Sequence, residues 1–466
     1  MKRGSQYLLR DVLGIQPGEG TLVALMFLLS FFIGIAKVVL QTTGGALFLT
    51  QYSKEFIPFL YVISALIVSS IGFAYAKLAQ GYRLRSLLML NLAFMLGSVL
   101  FYRVLLWGVP AAWPSLLVAV WYDVIKLLTS LAFWGLAERL FDIRQAKRLY
   151  GLIGSGEIFA AIWVGLSVPA IVAWIGTANL LWIVTIALVL CIALSILILR
   201  GHRSNEKQNL SDTHSSFAKQ EKSSGQGMRA LFNNRYVLLI FAIIALSYAG
   251  YYLVVNMFYV QSAERFPDAD ELAVFLSKFW ALTGVITFFS RTLLTGPVLR
   301  RGGLTLGLLI LPISVCAGTI LVLTIQWSMT SVALVFWMVA MTRMLEKVFR
   351  DSIDKSAGLI LYKPLSPKLR IQAQSTVEGI IGPFAGGLIG LGLLFLSQFA
   401  FFDLSSMAIM TFINAVLWIA IGLMIPKRYI SMLTQALAKR RLNILVDFSI
   451  QEKSVINVIR RGLYSP

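Results

Sequence analysis

Long apolar runs, separated by short polar and charged connections, make up most of the chain. A run of about 18 or more residues with few charges is long enough to cross a hydrocarbon core of about 30 Å. Twelve such candidates succeed one another, near 21–45, 56–78, 86–107, 114–137, 152–174, 179–199, 236–260, 272–294, 304–325, 328–349, 373–398 and 404–425. After the sixth the pattern stops. Residues 201–235 are rich in Ser, Gln, Lys and Asn and poor in large apolar side chains, the composition of a flexible linker. The pattern predicts an all-α integral membrane protein: a six-helix half over 1–200, a linker over 201–235, a second six-helix half over 236–425 and a basic tail over 426–466.

Composition supports the same class. Of 466 residues, 58% are hydrophobic and 13% charged, against about 25% charged in an ordinary soluble domain; the mean hydropathy is +0.79. A net charge of +20 raises the question of nucleic acid, and the placement of the charges answers it. With the N-terminal tail, the even-numbered connections and the C-terminal tail taken as one side, 35 of the 41 Lys and Arg residues fall there. Only Lys54, Arg103 and Arg265 lie in the opposite loops, while Lys37, Lys126 and Lys278 lie inside spans. This bias predicts cytoplasmic termini in a bacterial inner membrane, with the bilayer rather than nucleic acid as the partner of the basic residues and a monomer as the simplest assembly. The first 20 residues lack the apolar core of a cleaved signal peptide. Cys191 and Cys316 sit in apolar runs, and His202 and His214 share the linker. No disulfide framework, metal site, cofactor motif or nucleophile–base pair is visible, so an enzyme is the poorest reading.

Two internal echoes relate the halves. "AKLAQGYRLRSLLML" (76–90) and "LTGPVLRRGGLTLGL" (294–308) each set Gly and paired Arg residues between spans. "GEIFAAIWVGL" (156–166) and "VEGIIGPFAGGL" (377–388) each begin near a Glu and run into small residues that let helices approach closely. Repeated halves joined by a linker are the layout of major facilitator carriers.

A charge at the bilayer centre costs about 2.5–3.5 kcal/mol on insertion scales, so each needs a partner or a wet cavity. In this layout the first helix of each three-helix unit lines the central cavity. Lys37 on the first span and Asp123 and Lys126 on the fourth are therefore candidate substrate contacts, facing Tyr251, Tyr252 and Asn256 on the seventh. Asp123 and Lys126, three residues apart, share a helix face and can equally form a structural ion pair. Cations at such a cavity suit an anionic, phosphorylated substrate. Lys278 is placed to extend toward the surface.

The connection "LFDIRQAKRLYGLIGSGE" (140–157) contains a G-x-G, but no strand precedes it and no Lys-Ser/Thr comes after it, so a phosphate-binding P-loop is a poor fit. Arg144, Lys147 and Arg148 are instead candidate gate residues, pairing with Glu138, Asp142 or Glu157. Glu157 and Glu378 complete the gate or coupling set.

"FWGLAERLFDIRQAKRLYGLIGSG" (133–156) resembles a segment of nucleotide transporters of the ATP/ADP translocase type. Phe133, Trp134, Gly135 and Ala137 match an F-W-G-x-A element. Ala146, Lys147, Arg148 and Tyr150 match A-K-R-[FY]-Y, with Gly154 and Gly156 as its G-x-G. Lys37, Glu55, Ile57, Pro58, Phe59 and Leu60 are similar to the family's span-one elements, and 261–284 to its loop before span eight. The resemblance implies a major facilitator fold, exchange of ATP for ADP, and contact of Lys37 with phosphate. The chain departs from the family at Val38, Tyr122 and Val255 or Asn256, and at Pro383 or Phe384, where the family has a late Lys. The leading expectation is a secondary carrier of nucleotides or another phosphorylated organic anion. The alternatives are a proton-coupled carrier of a different solute or lipid, with Asp123 or Glu378 as proton site, and a non-transporting sensor or partner platform of the same fold.

Overall fold

The computed structural model describes residues 15–16, 18–81, 84–109, 111–201, 234–328, 331–365, 367–377, 381–399, 402–426, 428–432 and 434. Most of the expected linker, the whole tail from 435 on and Glu378 lie outside these residues.

Helices carry the described chain because long apolar segments in lipid must satisfy every backbone group internally. They are α1 (Gly20–Gln51), α2 (Ile57–Gly81), α3 (Leu84–Gly108), α4 (Trp113–Leu140), α5 (Ile143–Gly154), α6 (Gly156–Ile175) and α7 (Leu181–Gly201). After the linker come α8 (Arg235–Arg265), α9 (Ala269–Phe289), α10 (Thr295–Arg301), α11 (Gly303–Trp327) and α12 (Val332–Phe349). The last are α13 (Lys355–Leu361), α14 (Pro367–Thr376) and α15 (Gly382–Leu396), then a closing span over Leu404–Met432. Ten of the described helical spans are long and apolar enough to cross a membrane. At the tenth and eleventh expected positions the helices are shorter or more charged: α12 has 18 residues and carries Arg343, Glu346 and Lys347, and α15 has 15. The chain is a multi-pass membrane protein. Leu66, Phe73, Leu166 and Val332 are exposed on its outer face, which lipid rather than water covers. Exposed Trp107, Trp113, Trp174 and Trp327 cluster at helix ends remote from the Lys- and Arg-rich connections, as in an interfacial aromatic belt.

Among the described residues the largest crossings that join the helices before the linker to those after it are α6 along α9 and α2 along α15, with α1 also packed against α9. Small residues set the first two. A Cβ on Gly165 would collide with Ala281 and lie 2.8 Å from the Ser277 carbonyl oxygen; one on Gly390 would lie 2.8 Å from the Pro58 carbonyl oxygen. Gly165→Val should therefore wedge α6 from α9 and lower stability by about 1–3 kcal/mol, read as a lower thermal unfolding midpoint in detergent; an unchanged midpoint would show that the crossing yields freely.

At one end these helices are tied. The Thr177 amide donates to Asp270 Oδ1 at 2.8 Å and the Thr177 hydroxyl to the Ala269 carbonyl at 3.2 Å. On the same side Lys54 Nζ lies 2.8 Å from Glu264 Oε1, a second bridge between the halves.

Candidate functional site

A cavity of about 470 Å³ lies between the two sets of helices. Gln41 and Phe48 of α1, Tyr61 of α2, and Tyr122, Asp123 and Lys126 of α4 form one wall. The opposite wall is α8, whose Tyr248, Tyr251, Tyr252, Val255 and Tyr259 fall at helical spacing on one face. The floor is the segment after α12: a π-helical turn over Arg350–Asp354 leading into α13, giving Arg350, Asp351, Asp354 and Lys355. Seven of the chain's 16 tyrosines line the space, so its polar atoms are mostly hydroxyls on aromatic rings.

One charge network organises the floor. Glu346 is 0% exposed and accepts from both Arg343, itself 3% exposed, and Arg350, at 2.5 Å from the Arg350 Nε. Two guanidinium groups thus share one carboxylate. Arg350 is fixed further by donating to the Ser247 hydroxyl at 2.8 Å and the Ser247 carbonyl at 2.9 Å. The guanidinium carbons of Arg343 and Arg350 lie 5.0 and 5.2 Å from the centroid of the Tyr251 ring, within cation–π range. Arg343 also lies 5.6 Å from the Trp280 ring. One turn on, Lys347 Nζ pairs with Asp351 Oδ2 at 2.8 Å. Such a site can hold an anionic group against Arg350 and Lys126 and a flat ring among the tyrosines. Among the described residues, no group of three His, Cys, Asp or Glu is arranged to hold a metal ion.

The family model of the TLC ATP/ADP transporter matches residues 115–429, which include α4, α8 and the whole floor of this cavity. The chain belongs to the TLC ATP/ADP transporter family. Among its relatives is ADP,ATP carrier protein 2 of Chlamydia pneumoniae, 26% identical over 490 residues and covering 89% of each chain. The carrier of the same name from Chlamydia trachomatis is 22% identical, covering 92% of this chain and 91% of its own. Among solved structures, a D-xylose–proton symporter superposes with a TM-score of 0.63 at 14% identity, covering 87% of this chain and 96% of its own. The nucleoside transporter NupG does so with a TM-score of 0.58 at 14% identity, covering 88% and 98%. These likenesses give the fold: the TLC family member has the major facilitator architecture expected from its repeated halves.

Within this TLC transporter, Asp123, Lys126, Tyr251 and Tyr252 come together on the cavity walls. Asp123 and Lys126 form no ion pair with each other among the described residues; Lys126 is exposed to the cavity, its ammonium 5.8 Å from the Tyr122 ring centroid. Lys37 and Asn256 are not among the lining residues. Lys37 Nζ lies 2.8 Å from Glu157 Oε2, brought there because Gly34 and Gly156 let α1 and α6 approach to backbone contact. Asn256 is 1% exposed and donates to Met407 Sδ at 3.4 Å.

Of the expected gate residues, Arg148 pairs not with Glu138, Asp142 or Glu157 but with Glu19, 2.7 Å away, just before α1. Leu149 and Ile153 are fully buried on the same helix, so α5 is docked on α1 by apolar packing and this ion pair together. Burial works against the ionised Glu19 carboxyl, yet the Gln16 amide, Gln145 and Arg148 hold it below the usual carboxylate range. Arg144 and Lys147 lie on α5, with side chains outside the described residues, as is all of Glu378. Lys278 is exposed on α9.

Arg343, Glu346, Arg350, Asp351 and Asp354 are functional candidates that the hydropathy pattern did not single out. Their signal was present as spacing: charges recur at three- and four-residue steps from 343 to 355, one stripe of a continuous helical rod.

Proposed function

We propose that this protein is a secondary carrier that exchanges nucleotides across a bacterial inner membrane, with both termini in the cytoplasm. The observation that carries the reading is the cavity itself. A guanidinium at Arg350 that shares its carboxylate, an exposed ammonium at Lys126 and a wall of tyrosine rings meet in one cavity between the two sets of helices. Phosphate suits the bidentate fork of an arginine, and a base suits aromatic faces. The relatives' names, ADP,ATP carrier proteins, point to the same substrate class. The charge bias and the family support twelve spans, cytoplasmic ends and transport without chemistry.

Purified protein in liposomes preloaded with mixed adenine mono-, di- and triphosphates should take up labelled adenine nucleotide, and liposomes loaded with buffer alone should not. Equal uptake into both would refute exchange. Uptake of a nucleotide-free solute driven by an imposed proton gradient, with none of nucleotide, would favour the proton-coupled carrier.

A further inference from the structure

We propose that Gln41 of α1 selects the base of the nucleotide: its carboxamide reads one edge of an adenine held at the uncharged end of the cavity. The proposal rests on the nucleotide reading above. The cavity is polarised along the helices. Its end toward the Thr177–Asp270 and Lys54–Glu264 ties is lined by Gln41 and Phe48 of α1, Tyr61 of α2, Tyr122 of α4 and Val255 and Tyr259 of α8. No charged side chain is among the lining residues there.

The charged lining residues begin at Asp123. Lys126 stands one turn beyond Tyr122, away from the ties, and Arg350 and Lys355 follow the full length of α12. A phosphate chain needs the cations, whereas a base is uncharged. The two parts of a nucleotide are thus sorted to opposite ends, with the phosphates at the floor and the base near Gln41.

Gln41, Gly45 and Phe48 succeed one another at four- and three-residue steps, so they share the face of α1 turned to the cavity. The Gln41 carboxamide lies within hydrogen-bond reach of the Tyr259 hydroxyl. A carboxamide carries two N–H donors and an oxygen that can accept twice. One contact with Tyr259 therefore leaves a donor and an acceptor side by side for a ligand. At the same end Tyr61 is 5% exposed, and its hydroxyl has no hydrogen-bond partner among the described residues. A buried hydroxyl left in that state is costly, and a ring nitrogen of a bound base would partner it.

Adenine fits this set. Its N6 amino group donates and its neighbouring N7 accepts, and a glutamine carboxamide can meet both at once. Guanine and hypoxanthine carry an oxygen where adenine has its amino group. The Gln41 oxygen would then face another acceptor, with no lysine or arginine lining this end to take its place. The tilted rings of Tyr61 and Tyr252, their centroids 5.1 Å apart, offer aromatic faces to any base. Stacking there holds a base, and Gln41 decides which one.

The test uses the full-length protein in liposomes preloaded with unlabelled adenine mono-, di- and triphosphates. Initial uptake is measured as kcat/KM for labelled nucleotides of adenine, 7-deazaadenine, hypoxanthine and guanine, each as di- and triphosphate, so that charge is constant within each series. The proteins are the wild type, Gln41→Leu and Gln41→Met, two replacements of similar length without the carboxamide. The wild type should favour adenine over each of the other three by about tenfold or more, the scale of a paired hydrogen bond to a base edge. Both variants should take up the four bases within about threefold of one another, mainly by losing adenine uptake. Ratios taken within one protein are independent of how much of it is folded, and the wild-type series stands without either variant. A wild type indifferent to the base, or a variant that keeps the wild-type ratios, overturns the role of Gln41 and leaves the nucleotide reading standing. Uptake of none of the nucleotides by the wild type overturns both.

Discussion

Arg350→Ala should lower nucleotide uptake in liposomes by about 100-fold or more, the scale expected when one member of a desolvated charge network is truncated. The side chain ties the floor to its surroundings: Glu346 on one side, the Ser247 hydroxyl and carbonyl on another, the Tyr251 face above and the cavity ahead. Its loss removes one of the cations that line the cavity and unseats Tyr251 as well. Arg350→Lys keeps a positive charge but not the fork that reaches Ser247 and Glu346 together, so it should recover only part of the activity. The effect should fall on KM as well as on turnover. A substrate concentration series with equal amounts of folded protein, checked by size-exclusion chromatography, decides the matter. Undiminished uptake by Arg350→Ala would remove this cavity from the transport route.

Glu346→Gln should act on folding rather than on substrate. Glu346 is wholly buried and is the one carboxylate that Arg343 and Arg350 share. Neutralising it leaves two guanidinium groups close together without their counter-charge in the interior of the bundle. Breaking a buried ion pair from one side costs about 3–5 kcal/mol, because the remaining charge stays desolvated. The measurement is the thermal unfolding midpoint in detergent together with the yield of monodisperse protein, both of which should fall. A midpoint equal to the wild type's would mean that water already screens this network.

Hydropathy made most of the architecture legible, because a segment crossing lipid must be long, apolar and helical. The cavity was readable only in part. Asp123 and Lys126 announce themselves as charges within an apolar run, and Tyr251 and Tyr252 as a polar-aromatic step on the facing helix. Lys37 stands out in the same way, yet its partner Glu157 is 120 positions away and is set against it by a helix crossing that no local pattern contains. The floor was obscured for a different reason. Charges from Arg343 onward look like the end of a span at the membrane surface, and that is where the hydropathy pattern ended it. The chain instead continues through a π-helical turn into α13, so that charges which would sit in water at a helix end lie inside the protein. A π-helical turn also shifts the register of the next helix, a distortion often found at functional sites. Arg148 shows the same limit on a smaller scale, its partner being Glu19, which precedes the first span.

The crossing of α6 and α9 has an unequal construction. At one end the Thr177 amide and hydroxyl tie it to Asp270 and Ala269. Along its middle Gly165 meets Ala281 and Gly284 meets Ala161, small residue against small residue, and at the far end the rings of Phe159 and Phe288 meet at a tilt, their centroids 6.2 Å apart. Mechanically this is a pair of rods pinned at one tip, with a smooth bearing below the pin. The 20 residues of α6 make a lever about 30 Å long. A tilt of about 10° at the pin sweeps its other tip, to which the Lys37–Glu157 pair and the Gly34 and Gly156 contacts hold α1, through about 5 Å, comparable to one helical turn. Leverage of that kind would turn a small rotation near the Thr177 end into a large displacement at the other, sliding small residue past small residue along the middle and moving the Phe159 ring against Phe288 at the tip.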